Sequence, residues 1–144
     1  MRDKLGLFGE DTNDRELISN LLSWMEDNKA DYTNTFCYLM NLRVNDSEIY
    51  NDKNFINWLD IWRKRSLMNN GSKERQLDIM QSVNPSVIPR NHKVEEALSA
   101  ANDNDLEVMN KMLSILNKPY DNQKDIGEYQ FPSGNKDYQT FCGT

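Results

Sequence analysis

Phe55-Ile56-Asn57-Trp58-Leu59-Asp60-Ile61-Trp62 is the densest apolar stretch of the chain. Its large side chains recur at intervals of three and four residues, which is the spacing of one face of an α-helix. Trp58 and Trp62 are four residues apart and therefore share that face. Because buried aromatic side chains dominate the energetics of small cores, we expect this helix to lie at the centre of the core. Its tryptophans are expected to pack there rather than to bind a cofactor.

Two helices are predicted before this stretch. Residues 13–16, Asn-Asp-Arg-Glu, resemble a capping box, and the helix that follows, from about 14 to 28, carries a helically spaced apolar stripe. The stripe consists of Leu17, Ile18, Leu21, Leu22 and Met25. Asp31 is the expected N-cap of the second helix, in which Cys37 lies beside an apolar stripe and is expected to be buried. The polar residues 44–52 then form a connector.

Three helices are predicted after the central one. Asn69-Asn70-Gly71 ends the central helix, and Ser72 is suited to cap a fourth helix. Residues 84–89 are expected to form an extended loop, because Pro89 lacks an amide donor and restricts the residue before it.

The fifth helix opens at Arg90-Asn91-His92, and the sixth stops before Pro119. The inward side chains of the fifth are expected to be Val94, Ala97, Leu98 and Ala101. The sixth carries Leu106, Met109, Met112, Leu113 and Leu116. Because only the short polar turn 102–105 separates them, these helices should pack as an antiparallel hairpin.

The composition changes from Tyr120 onward to Asp, Asn, Gln, Gly and Pro, with four spaced aromatic residues. These are Tyr129, Phe131, Tyr138 and Phe141. Such spacing favours a segment anchored on the helices over a disordered one. The sequence therefore predicts an all-α fold. A bundle of five to six helices should occupy residues 1–118, and an irregular tail over residues 119–144 should pack on it.

Composition excludes several classes of function. The 144 residues carry a net charge of -6, with a sequence pI near 4.8, which argues against nucleic acid as a partner. The one basic run, Arg63-Lys64-Arg65, falls near a helix C-terminus, where cations complement the dipole, and we interpret it as a solvated face. No apolar stretch has the length of a membrane span or of a secretory signal, so we expect a soluble, cytoplasmic protein.

Motifs for enzymatic chemistry are missing. His92 is the only histidine, and its place at a helix start favours a surface or capping role over catalysis. The scattered glycines form no phosphate-binding loop, and the two cysteines lack metal-ligand spacing. The sequence therefore predicts no catalytic, cofactor-binding or metal-binding residue within this chain.

Cys142, near the end of the chain, is the candidate regulatory residue. A thiol in a terminal segment reaches distant partners at low conformational cost. The nearby Asp137 disfavours the thiolate, which makes Cys142 a poor catalytic nucleophile. It is better suited to be one half of a disulfide switch, in which the partner thiolate attacks. The alternative is a small apolar residue that holds the tail down.

Six segments spread over the whole chain form a specific combination. They are Met1-Arg2-Asp3-Lys4-Leu5-Gly6-Leu7, Asn28-Lys29-Ala30-Asp31-Tyr32-Thr33-Asn34-Thr35-Phe36, Asn84-Pro85 with Arg90-Asn91, Glu96-Ala97 with Ala100-Ala101, Pro119-Tyr120-Asp121-Asn122-Gln123, and Phe141-Cys142-Gly143-Thr144. In this order and separation they resemble the C-terminal part of the selenoprotein O family, the pseudokinase-like protein adenylyltransferases. Among the departures, Asn104 takes the place of a glycine that is usual in the family.

The resemblance implies a parent enzyme with a kinase-like fold that uses ATP and Mg²⁺ (or Mn²⁺) to transfer AMP to Ser, Thr or Tyr hydroxyls of proteins. The nucleotide- and metal-binding residues of the family lie upstream of the matched region, so none is carried onto this chain. Only the terminal cysteine is carried over, onto Cys142, and it implies redox control through a disulfide to a cysteine in that upstream part. The implied partners are the upstream kinase-like domain and the protein substrates of the parent, with no nucleic acid and no membrane.

Two other functions stay open from the sequence. The chain is a stand-alone helical interaction module if the exposed faces of its last two helices bind a partner helix or strand. A third hypothesis is a small redox protein that uses Cys37 and Cys142 together.

Overall fold

The computed structural model describes residues 1–42, 44, 47–68 and 72–133, and over these residues the chain is helical, without strands. The α-helices are α1 (Asp14–Asp27), α2 (Tyr32–Leu39), α3 (Lys53–Leu67), α4 (Lys73–Val83), α5 (Asn91–Asn102), α6 (Glu107–Leu116) and α7 (Gly127–Gln130). Two short 3-10 helices, Asp3–Leu5 and Ser47–Asn51, precede α1 and α3. The all-α class predicted from the sequence is confirmed. The 3-10 helix in the connector and the short α7 were not predicted.

Side-chain caps fix the starts of three helices. Asp31 accepts a hydrogen bond from the Asn34 amide at 2.8 Å, and Ser72 accepts one from the Arg75 amide at 3.2 Å, as expected. Asp52 caps α3 and also accepts the indole N–H of Trp24 at 2.8 Å.

The capping box expected at residues 13–16 is wrong. Asn13 has helical backbone angles and makes no side-chain cap, while the neighbouring Asp14 is buried. The carboxylate of Asp14 is instead the partner of Arg65, so a local signal for capping is overridden by a tertiary contact.

Helix α3 lies in the larger of two hydrophobic cores, as the sequence predicts. Its Trp58 and Trp62 rings stack with centroids 6.1 Å apart. Each indole N–H donates to a backbone carbonyl, Trp58 to Leu17 at 2.8 Å and Trp62 to Leu5 at 2.9 Å. Both tryptophans are buried packing residues that tie α3 to α1 and to the N-terminal 3-10 helix.

The second core is formed by the hairpin of α5 and α6 together with α7. Its buried members are Val87, Ala97, Met112, Ile115, Ile126 and Tyr129. Asn104, in the turn of this hairpin, has a left-handed φ of 63°, a conformation that asparagine tolerates better than most residues. The prediction that Leu98 points inward is wrong, because this core is narrow and Leu98 lies beyond its edge, exposed to solvent.

Two of the four aromatic residues of the tail, Tyr129 and Phe131, lie within the described residues. Tyr129 is buried against the hairpin, and Phe131 is half-buried. Tyr138 and Phe141 lie outside the described residues.

Gly6 is the tightest turn position in the first core. Its φ is +62°, and an added Cβ would lie 2.4 Å from Cγ of Gln76. We expect Gly6→Ala to lower the free energy of unfolding by about 2 to 3 kcal/mol, combining left-handed strain with crowding. Gly9→Ala is the matched control, because Gly9 has φ +64° but open space around it. The Gly9→Ala variant should cost about 1 kcal/mol in urea denaturation. Equal costs for both variants would disprove that contact with Gln76 adds to the cost of Gly6→Ala.

Candidate functional site

The six segments that resemble the selenoprotein O family are called here the family-like segments. Residues from several of them meet around the loop between α4 and α5. We call this place the loop junction and define it by Asp31, Asn84, Ser86, Arg90 and Gln130. The loop is extended, as expected for residues 84–89, and its backbone carries no helix. The hydrogen bonds of these side chains join segments that are far apart in the sequence, so the junction connects the two cores.

Arg90 and Asp31 form the charged centre of the loop junction. The guanidinium donates two parallel hydrogen bonds, at 2.7 and 2.9 Å, to the two carboxylate oxygens of Asp31. It also donates to the carbonyl oxygen of Gln130 at 2.7 Å, next to the end of α7. The side chains are only 11% and 20% exposed. Since Asp31 also caps α2, the ion pair of Arg90 and Asp31 links α2, the start of α5 and the tail.

Asn84 fastens the end of α4 to the N-terminal segment. Its side-chain amide donates to the Lys4 carbonyl at 2.9 Å, and the Lys4 ammonium donates to Asn84 Oδ1 at 3.2 Å and to the Val83 carbonyl at 2.9 Å. Asn84 is buried, so these contacts satisfy polar groups that would otherwise lose their hydrogen bonds to water.

Ser86 and Gln130 fasten the tail to the same loop. The Ser86 amide donates to the Pro119 carbonyl at 2.7 Å, and its hydroxyl donates to the Asp121 carbonyl at 2.7 Å. The side chain of Gln130 donates to the Ser86 carbonyl at 3.0 Å. Gln123, the last residue of the family-like segment at residues 119–123, donates through its side chain to the Ile115 and Lys118 carbonyls at the C-terminal end of α6. The tail therefore turns back against the loop.

The chemistry of the loop junction is that of a structural network. Apart from Arg90 Nε, the hydrogen-bonding groups described above bind backbone groups or each other, and the charges of Arg90 and Asp31 are paired. Arg90 Nε is the one buried side-chain polar atom of the described residues without a hydrogen-bond partner. The family-like residues that meet here thus hold the chain in shape.

Cys37 lies beside the loop junction and is fully buried, as the sequence predicts. Its sulfur is 3.8 Å from the Pro85 carbonyl oxygen and 3.9 Å from that of Ser86. Burial, with a smaller contribution from the negative charge of Asp31, raises the pKa of the Cys37 thiol to about 11. The thiol is therefore protonated and unreactive at neutral pH.

Alkaline pH should destabilise the protein through Cys37. The pKa of this thiol rises on folding from its ordinary value of 9.0 to about 11, so the unfolded chain releases the proton first. The contribution of Cys37 to the free energy of unfolding is therefore complete below pH 9 and is lost as the pH rises to about 11. Burial raises the pKa of Tyr50 to about 12, so this residue extends the loss of stability to higher pH. Urea denaturation between pH 8 and 11 should show a smaller decline for Cys37→Ala. An identical decline would contradict this assignment.

Cys142 and His92 are the other residues singled out in the sequence. Cys142 lies outside the described residues. His92 is half-buried in the first turn of α5, and the described ranges contain no group of three or more His, Cys, Asp or Glu side chains that could hold a metal ion. Within those ranges, every helix is too short or too polar to cross a bilayer.

The interpretation of Arg63-Lys64-Arg65 as a solvated face is wrong for Arg65. Its buried guanidinium donates to both carboxylate oxygens of Asp14, at 2.7 and 3.1 Å, and to the Phe8 carbonyl at 3.0 Å. Position 65 continues the spacing of Trp58 and Trp62, and that pattern was the available signal for its burial.

Comparison with known proteins assigns the chain to a family. The sequence model of the family described as protein adenylyltransferase SelO matches residues 1–117. The protein nucleotidyltransferase YdiU of Pelagibacter ubique (strain HTCC1062) is 51% identical over 147 aligned residues, which cover all of this chain and 30% of that protein. YdiU proteins of Alkaliphilus metalliredigens (strain QYMF) and Bacillus cereus (strain G9842) are each 44% identical over the same share. The chain thus spans about 30% of the length of these relatives. It belongs to the protein adenylyltransferase SelO family.

Proposed function

We propose that this chain is the C-terminal helical domain of a selenoprotein O-type protein adenylyltransferase, which transfers AMP from ATP to Ser, Thr or Tyr hydroxyls of proteins. Residues 1–118 form the helical domain, and residues 119–144 form the tail that packs over it. The chain holds no catalytic residue of its own. Its role is to support the upstream kinase-like domain of the same cytoplasmic protein.

The observation that carries this proposal is the set of contacts that the family-like residues make. Asp31 and Arg90 pair with each other, Arg90 also binds the Gln130 carbonyl, and Asn84 binds the Lys4 carbonyl, so their polar groups are directed at other parts of the protein. A supporting domain is expected to have family-typical residues that maintain its fold. A catalytic domain needs, in addition, groups directed at a substrate. The share of about 30% of the relatives' length leaves room for a catalytic domain elsewhere in the parent.

ATP and Mg²⁺ or Mn²⁺ would be bound by the upstream kinase-like domain. The acidic net charge of -6 also favours protein partners, namely that domain and the protein substrates, over nucleic acid. Neither a nucleic acid nor a membrane is a proposed partner.

Cys142 is proposed as the regulatory half of a disulfide whose partner lies in the upstream domain. The burial and raised pKa of Cys37 argue against a bridge between the two cysteines of this chain. Mass spectrometry without reductant should show no loss of two hydrogens in the isolated chain. Such a loss, mapped to Cys37 and Cys142, would favour a small redox protein.

Calorimetry with ATP and Mg²⁺ tests whether nucleotide binding belongs to the upstream domain and not to this chain. The 144-residue chain should give no binding heat at micromolar ATP, because its part in the enzyme is structural. Micromolar affinity for the chain alone would overturn the proposal.

A stand-alone interaction module is the second candidate, and exposed leucines on α5 and α6 favour it. The length and content of the reading frame distinguish the domain from the stand-alone module. Several hundred codons upstream, with a kinase-like lysine and a DFG-like element, support the domain, whereas a natural start at Met1 supports the module.

A further inference from the structure

Within the described residues, the hairpin of α5 and α6 carries an apolar face that no other element covers. Leu98, Leu106 and Leu113 are 53%, 57% and 49% exposed. We call these three residues the leucine face. Leu98 lies on α5, Leu113 on α6 and Leu106 at the N-cap of α6, and the main packing partners of the two helices are each other. Single exposed leucines are ordinary on protein surfaces, but three of them on one small hairpin are a candidate interface.

Helix geometry places these leucines on one side of the hairpin. Leu98 follows the buried Ala97 and Leu113 follows the buried Met112, so each is rotated by about 100° in the same sense from the core. In an antiparallel pair of helices, side chains that are rotated by the same angle and in the same sense from the buried residues point to the same side of the pair. Leu106 lies seven residues, or two turns, before Leu113 and shares its side.

The opposite side of the hairpin is occupied by α7. Lys93 and Lys111, rotated in the other sense, each place the ammonium 5.5 Å from the centroid of the Tyr129 ring. Both ammonium groups also bind Glu128, at 3.1 and 2.9 Å. The leucine face is therefore on the side that α7 leaves open.

The charge around the leucine face is negative. Residues 91–116 contain two lysines, and both are held on the α7 side by Glu128. The acidic residues of the hairpin are Glu95, Glu96, Asp103, Asp105 and Glu107. Glu96 is bound to Lys93, whereas Asp103, Asp105 and Glu107 surround the turn beside Leu106 and are exposed. A partner that covers the leucines thus meets carboxylates at the margin.

We propose that the leucine face binds an apolar segment flanked by Lys or Arg, located in the part of the family protein that lies outside this chain. This docking rests on the proposed function. The larger part of each relative is outside the matched region, which supplies a tethered partner at high effective concentration. A second copy of this chain is disfavoured, because a symmetric contact would bring the acidic margins together.

The test compares the parent protein with the 144-residue chain. Leu98→Gln with Leu113→Gln should lower the melting temperature of the parent by at least about 3 °C, because an apolar interface loses two leucines. The same double variant should leave the melting temperature of the chain alone within about 1 °C. The control is Ile56→Gln with Ile61→Gln on α3, at residues that are 43% and 56% exposed, and it should change neither protein by more than about 1 °C.

A photo-crosslinking residue at position 113 of the parent identifies the occupant. Crosslinks should map to a Lys- or Arg-flanked apolar segment outside the chain. If the gene encodes nothing beyond these residues, the proposed function fails and the docking fails with it. If the parent exists but the leucine and control variants melt alike, only the assignment of this face is wrong. Crosslinks to α5 or α6 of another copy would assign the face to a dimer and overturn the proposal.

Discussion

Replacing Arg90 with methionine should lower the free energy of unfolding by about 3 to 5 kcal/mol. The substitution keeps an unbranched side chain but leaves the Asp31 carboxylate buried without its counter-ion. It also frees the Gln130 carbonyl, so α7 loses one of its attachments. The change is best measured by urea denaturation followed by tryptophan fluorescence, because Trp58 and Trp62 report on the larger core.

Arg63→Met is the matched control for Arg90→Met. Arg63 lies 3.7 Å from Asp60 in an ion pair on the surface of α3, where water screens both charges. Its loss should change the free energy of unfolding by no more than about 0.5 kcal/mol. Similar effects for the two arginines would show that the loop junction contributes little to the fold.

Phe55→Ala should cost about 3 to 5 kcal/mol, the second large effect. Phe55 is fully buried at the first turn of α3, where four aromatic rings surround it. Ring centroids lie 4.5 Å away for Trp24, 5.1 Å for Tyr50, and 5.8 Å for both Tyr38 and Trp58. These rings belong to different elements and cannot all move inward to fill the space, so most of the cavity should remain.

Ile56→Ala is the control for this cavity. Ile56 is the next residue of the same helix but faces solvent, so its truncation should cost about 0.5 kcal/mol or less. Denaturant midpoints of the two variants give the comparison. A Phe55→Ala midpoint close to that of Ile56→Ala would contradict the central position of α3.

Local signals predicted most of the helices. Asp31 and Ser72 cap the helices expected of them, because a cap involves only the next three residues of the chain. The short α7 lacked such a signal. It depends on the burial of Tyr129 against the α5 and α6 hairpin, a contact that periodicity over four residues does not reveal.

Long-range polar contacts were not predictable in the same way. Arg65 and Asp14 are 51 residues apart, and each was assigned a local electrostatic role that the tertiary contact replaces. The family-like segments marked Asp31 and Arg90 as shared features of the chain, yet their ion pair spans 59 residues and appears only in the folded structure. Sequence pattern marked Asp31, Asn84 and Arg90, but it revealed neither their partners nor the part that Ser86 and Gln130 play in the loop junction.

AMP transfer from labelled ATP is the most direct measurement of the central claim. The protein encoded by the whole reading frame should incorporate labelled AMP into protein when Mg²⁺ or Mn²⁺ is present, and the 144-residue chain alone should incorporate none. Incorporation by the chain alone would contradict the assignment of a supporting, non-catalytic role.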